Sequence, residues 1–285
     1  MTKTKIINPF STAFLDKFIL APNVLPLQDK LLIELDQQLS HFEQVFLNPE
    51  IEQNLISRNE LLASYAISKA ENSQLTLGEA EDVYQLILGN EKYSFIADKL
   101  KNKEKLTKKD HDKLEFFNIA QTFHSISKEK FFLKELTPKY IQNLHKQLTQ
   151  GLDVFGDHVQ GYEPYKSGHW RDNDSVRVGS YTPASYELIP KGVVELIKYI
   201  QDDPTPTKVA IFHTALYALH PFNNGNKRIC RILEHLLLRS IGLNAKNLYS
   251  TSYYYHRHKD RYYKYLLFSL ERNNLNHFVS FVQEA

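Results

Sequence analysis

The sequence predicts a mainly α-helical protein with one short β-hairpin. Three observations carry this reading. Apolar residues recur at i, i+3, i+4 and i+7 through most of the chain, two-residue alternation is confined to the neighbourhood of Val176 and Val178, and prolines gather in turns such as Asp202 to Thr207. After an irregular leader containing Pro22 and Pro26, helical patterns run from about Gln28 to Phe46, Glu52 to Ala70, Thr76 to Gly89 and Asp110 to Ser125. A second set covers Thr137 to Thr149, Ser185 to Ile200, Thr207 to Leu219, Asn226 to Ile241, Arg257 to Glu271 and Leu275 to Val282. A boundary between Phe131 and Thr137 divides an N-terminal helical region, 1–133, from a core, 134–285, and the two are expected to fold as one body. No internal repeat or low-complexity tail is present.

Composition bounds the function classes without choosing among them. The 285 residues are 42% hydrophobic, enough for a sizeable core. A net charge of +2 argues against a dedicated nucleic-acid surface. The lysine run from Lys99 to Lys113 is broken by Glu104, Asp110 and Asp112 and reads as an exposed helix-loop-helix face. Cys230 is the only cysteine, so no intrachain disulfide can form, and no segment approaches membrane-spanning or secretory-signal character. These features predict a soluble, cytoplasmic protein that binds neither nucleic acid nor membrane. His256 and His258 point in different directions on a helix and find no third ligand, so no structural zinc is assigned.

The most specific stretch is His220 to Arg231, H-P-F-N-N-G-N-K-R-I-C-R. Val209, Phe212, Leu216 and Leu219 precede it at helical spacing, which puts His220 at a helix C-terminus. Ile232, Leu233, Leu236, Leu237 and Ile241 follow it, which starts a second helix at about Gly225. The first turn of that helix has amide groups without intrahelical acceptors and the positive end of the dipole, so Gly225 and Asn226 are placed to accept a polyphosphate. Glycine allows the close approach, while Arg228 and Arg231 can grip an anion bidentately. Imidazole titrates near neutral pH, and His220 is therefore a candidate general base.

These residues resemble the signature of the Fic family, H-P-F-x-[DE]-G-N-[GK]-R-x-x-R, departing from it only at Asn224. The resemblance implies a Fic-type helical bundle with a short β-hairpin flap beside the active-site loop. It also implies transfer of a nucleotide-derived phosphate group, most often AMP from ATP, to a Ser, Thr or Tyr hydroxyl of a target protein. His220 would be the base, while Asn224, Gly225, Asn226, Lys227, Arg228 and Arg231 would bind nucleotide. The family carboxylate at position 224 holds Mg2+, and asparagine brings no charge, so Mg2+ or Mn2+ should be weakly held and turnover low.

Three further segments fit the same resemblance. I-S-K-A-E-N at Ile67 to Asn72 looks like the family's inhibitory helix, with Glu71 as the inhibitory glutamate pairing with Arg231 and Ile67 standing where Ser or Thr is usual. Gly168 to Gly179, G-H-W-R-D-N-D-S-V-R-V-G, reads as the flap, with Val176, Arg177, Val178 and Gly179 over the nucleotide and an open edge for an extended target segment. Y-Y-K-Y-L at Tyr262 to Leu266 resembles Y-Y-x-x-L, so Tyr262 and Tyr263 would enclose the adenine, with core packing as the competing account of one of them. A homodimer is left open.

Three readings stand: a self-inhibited protein adenylyltransferase, a Fic-type kinase moving the gamma phosphate, and a non-catalytic nucleotide-binding or interaction module. Lys227 is shared with the kinase branch, Gly225 speaks against it, and Asn224 favours the third.

Overall fold

The structure, a computed structural model, describes residues 6–21, 25–91, 94–102, 104, 107–152 and 166–285. The N-terminal half contributes helices Leu25–Phe46 (α1), Pro49–Ala70 (α2), Leu77–Leu88 (α3), Ser94–Lys101 (α4) and Lys108–Lys128 (α5). Pro138–Thr149 (α6), Ile189–Gln201 (α7), Pro206–Leu219 (α8), Asn226–Ser240 (α9), Thr251–Arg257 (α10), Lys259–Glu271 (α11) and Asn276–Glu284 (α12) follow. Helix starts follow local chemistry. Thr137 and Thr205 each precede a proline that opens a helix, and their hydroxyls accept the N–H groups of Tyr140 and Lys208. Thr76 with Glu79 and Thr107 with Asp110 form capping boxes.

Helix α8 is buried along its whole length, which explains why its sequence is apolar on every side. Helices α7, α9 and α12 pack around it and α1 touches it from outside. The main core runs from Phe10, Phe18 and Ile67 through Phe123 and Ile141 to Phe278, so residues of the N-terminal half share it with those of the C-terminal half. A smaller cluster, including Leu61, Tyr84, Phe116 and Phe117, joins α2, α3 and α5. Helices α2 and α5 belong to both clusters, and this fixes the end of α2 against α9.

Two expectations need correction. The pattern read as one helix from Arg257 is broken at His258 (φ −117°, ψ 41°), and α10 precedes the break. Its buried positions, Thr251, Ser252 and Tyr255, are polar or aromatic and give no apolar period. The second correction concerns the hairpin expected over residues 168–179. Among the described residues that segment makes no strand, and its antiparallel pairing is a single bridge between Val178 and Tyr181, with N–H to O distances of 3.1 and 3.0 Å. The Asp-Asn-Asp stretch satisfies backbone donors with its own side chains instead. Asn173 Oδ1 accepts from the Ser175 amide at 3.1 Å, and Asp174 Oδ1 accepts from the Tyr186 amide at 2.8 Å, leaving no ladder to extend.

Candidate functional site

Helix α8 ends at His220, which takes a left-handed backbone conformation (φ 50°, ψ 61°). Arg171 holds it there. The buried guanidinium of Arg171 donates from Nε to the His220 carbonyl at 2.8 Å and from Nη2 to Leu219 at 3.3 Å and to Ala184. Its Nη1 reaches the Asn173 carbonyl at 2.6 Å and Asp174 Oδ1 at 2.8 Å. One planar donor fork thus satisfies carbonyls that the end of α8 leaves without intrahelical partners.

The loop after His220 is tied on both sides. Asn226 accepts the Phe222 amide at 3.0 Å and donates to the Phe222 carbonyl at 2.7 Å, so its side chain closes the turn rather than facing a ligand. His145 of α6 donates from Nε2 to the Asn224 carbonyl at 2.9 Å and accepts the Gly168 amide on Nδ1 at 3.0 Å, which fixes its neutral tautomer. Its ring stacks on Phe222 with centroids 3.6 Å apart. Gly225 caps α9 at φ 77°, where a Cβ would meet His145 Nε2 at 3.1 Å and Thr149 Cγ2 at 3.2 Å; glycine is required there by backbone and space alike.

A cavity of about 450 Å³ opens between His220 and the first turn of α9. Arg177, Val178 and Gly179 line one side, Tyr263, Leu266 and Leu267 of α11 another, and Asn224, Gly225, Asn226 and Lys227 form the floor. Glu71 lines the cavity as well. Tyr217, Asn223 and the two leucines also line it and were missed in the sequence reading. Tyr217 lies one turn before His220, a spacing that marks it as a neighbour once that helix end is recognised as the site.

Of the residues expected to bind nucleotide, Arg177, Val178, Gly179, Asn224, Gly225, Asn226, Lys227 and Tyr263 line the cavity, whereas Val176, Arg228, Arg231 and Tyr262 do not. Val176 does not line it; its carbonyl accepts from Arg177 Nη1 at 2.7 Å. Tyr262 is fully buried, its ring among Tyr255, Phe278 and Phe281, so of the pair only Tyr263 lines the cavity. Arg231 is buried as well. Its guanidinium lies 4.5 Å from the Tyr262 ring centroid and its Nη1 approaches the Ala66 carbonyl at 3.4 Å. The expected pairing of Glu71 with Arg231 is not made. Glu71 instead lies 3.6 Å from Arg228 Nε and 3.9 Å from Lys227 Nζ, because the Tyr262 face and the end of α2 hold Arg231 farther in.

Helix α2 reaches the site through its C-terminus. Asn72 adopts φ 63° and the Ser73 amide turns back to the Ser68 carbonyl at 3.3 Å, a left-handed stop that explains why asparagine follows Glu71. Lys227 Nζ donates to the Ala70 carbonyl at 3.0 Å, and the Tyr263 hydroxyl donates to the same oxygen at 3.3 Å. The negative end of one helix therefore faces the positive end of another. Burial alone would raise the Glu71 carboxyl, yet Lys227, Arg228 and Arg231 outweigh it and hold the group below the ordinary carboxylate range. Ile67, at the place where the resemblance expects Ser or Thr, is fully buried in the main core.

Arg228 has a second carboxylate that no sequence motif marks. Glu115 of α5 approaches Nη1 at 3.4 Å, while Nη2 donates to Asn224 Oδ1 at 2.9 Å. Burial, with Glu71 and Asp112 nearby, pushes the Glu115 carboxyl up to about 7 against the pull of Arg228 and Lys108. His220 is moved the other way, to about 4, chiefly by burial, with Arg171 and Lys227 adding to the effect and Glu71 opposing it. A neutral imidazole at physiological pH is the form able to accept a proton.

Burial also lowers His145 and His235 to about 3. All three histidines fold below their ordinary 6.5, so their stability contribution is complete above that pH and is lost as pH falls through 6.5 toward 3 or 4. Glu115 works in the opposite sense between about 7 and 4.5 and offsets part of this loss. A net fall on the order of 2 kcal/mol is expected between about pH 7 and pH 5.5, read as a lower thermal midpoint. A midpoint that stays level over this interval would contradict neutral burial of the imidazoles.

The helical fold, the loop that follows His220 and the glycine-opened helix beside it define the site. Residues 135–238 match the Fic/DOC family and form a Fic/DOC domain within the chain. A protein adenylyltransferase of Caenorhabditis elegans, fic-1, is 32% identical over 85 residues, which are 28% of this chain and 16% of that protein. A probable protein adenylyltransferase of Aquifex aeolicus is 26% identical over 136 residues, 46% of this chain and 39% of that protein. The matched stretches thus span well under half of these relatives. Crystal structures of a Fic family protein from Desulfovibrio desulfuricans (TM-score 0.64, 18% identity, 90% of this chain and 71% of that one) and of a Fic domain-containing signaling protein from Bacteroides thetaiotaomicron (TM-score 0.61, 19% identity, 90% and 91%) share the fold. No helix among the described residues is long and apolar enough to cross a membrane.

Proposed function

We propose that this chain is a self-inhibited adenylyltransferase that moves AMP from ATP to a Ser, Thr or Tyr hydroxyl of a target protein. The observation that carries the reading is the His220 imidazole, neutral at physiological pH and held beside a cavity whose floor is the first turn of α9. The triphosphate lies over that floor, where Lys227 and the positive end of the α9 dipole meet its charge. The acceptor oxygen attacks the alpha phosphorus, the bond from that phosphorus to the departing pyrophosphate breaks, and His220 takes the hydroxyl proton. Tyr263 flanks the base. The target segment lies along residues 176–179, of which Arg177 and Gly179 are exposed. Glu71 restrains the site by occupying Lys227 and Arg228. We assign the N-terminal region, 1–133, the restraining role and residues 134–285 the transfer itself, in the cytoplasm where ATP is available.

The residues present make a poor Mg2+ site. Asn224 Oδ1 carries no charge and already accepts the Gly225 amide at 2.6 Å and Arg228 Nη2 at 2.9 Å. Glu71, the carboxylate among the cavity's described lining residues, is held by two cations. Any Mg2+ or Mn2+ would be carried in by the phosphates. This favours low turnover, and it is also the observation behind the alternative of a nucleotide-binding module without chemistry.

ATP labelled at the alpha or the gamma phosphate tests the reading. With the Glu71→Gly chain, label is expected on protein from the alpha position only, and His220→Ala should reduce it on the order of 10²- to 10⁴-fold. Label from gamma would make the chain a kinase, and binding without label would make it a nucleotide-binding module. Asn224→Asp keeps both acceptor contacts and adds an anionic oxygen, so transfer is expected to become faster and dependent on Mg2+. An unchanged rate would show that residue 224 is not the limiting defect.

A further inference from the structure

Helix α1 is built inside out. Polar groups anchor it to the body beside the partly buried Leu32: Asp29 accepts the Thr207 amide at 2.9 Å and hydroxyl at 2.8 Å, Asp36 accepts the Asn244 amide at 2.9 Å and the Tyr249 hydroxyl at 2.6 Å, and Glu43 is buried near Lys246. The apolar side faces solvent. Leu31, Leu35, Leu39, Phe42, Val45 and Phe46 are between 43% and 65% exposed, and the Phe42 and Phe46 ring centroids lie 4.5 Å apart in a tilted pair. Of the fourteen large hydrophobic side chains exposed among the described residues, nine fall between Leu31 and Leu55. A surface helix that buries carboxylates and exposes a run of leucine and phenylalanine is arranged for contact with something other than its own body.

We propose that this face is the self-association surface of the chain, α1 pairing antiparallel with α1 of a second copy. Three features select a second copy. Leu35, Leu39, Phe42 and Phe46 follow the alternating four- and three-residue steps of a helix-helix seam. A two-fold axis midway between residues 39 and 42 sets Leu35 against Phe46 and Leu39 against Phe42 of the other copy. Every layer then holds one leucine and one phenylalanine, a constant volume that a parallel pair, with Phe on Phe and Leu on Leu, does not give. The six side chains leave on the order of 600 Å² uncovered per chain, close to the roughly 800 Å² per partner of a standard interface, and Ile51 and Leu55 extend the patch beyond the α1–α2 corner. An apolar groove of about 210 Å³ between α1 and the body, lined in part by Leu35, Leu39, Leu243 and Val282, lies alongside the same seam. None of these residues lines the cavity at His220, so this proposal stands apart from the proposed activity.

Sedimentation of the full chain tests it. The mass is expected to rise from 33.3 kDa toward twice that value as concentration is raised to about 100 µM, and the Leu39→Glu, Phe42→Glu double variant should stay at the single-chain mass with helicity unchanged. Orientation is read separately, because Cys230 is buried and gives little background. Leu35→Cys mixed with Phe46→Cys should form a disulfide-linked pair, whereas either alone should not, since positions 35 and 46 are roughly 16 Å apart along the helix. A parent chain that stays single at every concentration overturns the proposal, as does a double variant that dimerises equally well. Self-crosslinking of Leu35→Cys alone refutes the antiparallel arrangement. A parent that remains single but floats with neutral phospholipid vesicles assigns the face to a membrane instead.

Discussion

Glu71→Gly is expected to tighten ATP binding on the order of 10- to 100-fold and to raise AMP transfer at least as much. The estimate follows from what the carboxylate occupies. It lies 3.6 Å from Arg228 and 3.9 Å from Lys227, two cations that a triphosphate would otherwise engage by charge-assisted bonds of about 1.5 to 3 kcal/mol each. The Ala70 carbonyl keeps part of Lys227, and Glu115 keeps part of Arg228, so the release is partial. Glu71→Gln separates charge from bulk and should fall between the parent and the glycine variant. The same change should lower the thermal midpoint without nucleotide, because buried cations lose a counter-charge, and ATP should restore it. Calorimetric titration with ATP is the direct measurement. Equal affinity in parent and variant would remove Glu71 from any restraining role.

Arg171→Met is expected to destabilise the fold by about 3 to 5 kcal/mol, a fall of roughly 10 °C in the thermal midpoint. The guanidinium serves carbonyls of Leu219, His220, Asn173 and Ala184 together with the Asp174 carboxylate. Methionine fills similar space but removes the guanidinium donors from the four carbonyls, and each buried carbonyl left unpaired carries a desolvation penalty. Arg171→Lys should recover little, since a single ammonium cannot fan across acceptors set in several directions. Transfer activity should fall further than stability does, as His220 loses the anchor that keeps its backbone at φ 50°. Differential scanning calorimetry decides the matter, and a midpoint within about 2 °C of the parent would show that Arg171 is not a structural splint.

Much of the fold was legible because its signals are local. The leucine period of α9, the apolar run of α8 and the Thr-Pro starts at 137 and 205 each lie within one or two turns of chain. Where the signal was not local, the reading failed. The 168–179 segment alternates like a hairpin, but the Ser175 amide is taken by the Asn173 side chain, Arg171 donates to the Asn173 carbonyl and Asp174 accepts the Tyr186 amide, and none of these preferences shows as periodicity. Tyr262 and Tyr263 are adjacent in sequence, yet helical rotation by one residue sends one into the core and the other to the cavity.

The sequence by itself determined the helical class, the loop and helix start from His220 to Arg231 and the helix end at Glu71, since each is written in contiguous residues whose backbone preferences need no distant partner. Only the tertiary structure decided which cations meet Glu71, that Glu115 shares Arg228, that Arg171 fastens His220 and that α1 turns its leucines outward. Those outcomes depend on side chains from α2, α5, α8 and α9 meeting in a low-dielectric interior, where a shift of one position along a helix changes which charge is answered and which is left to water.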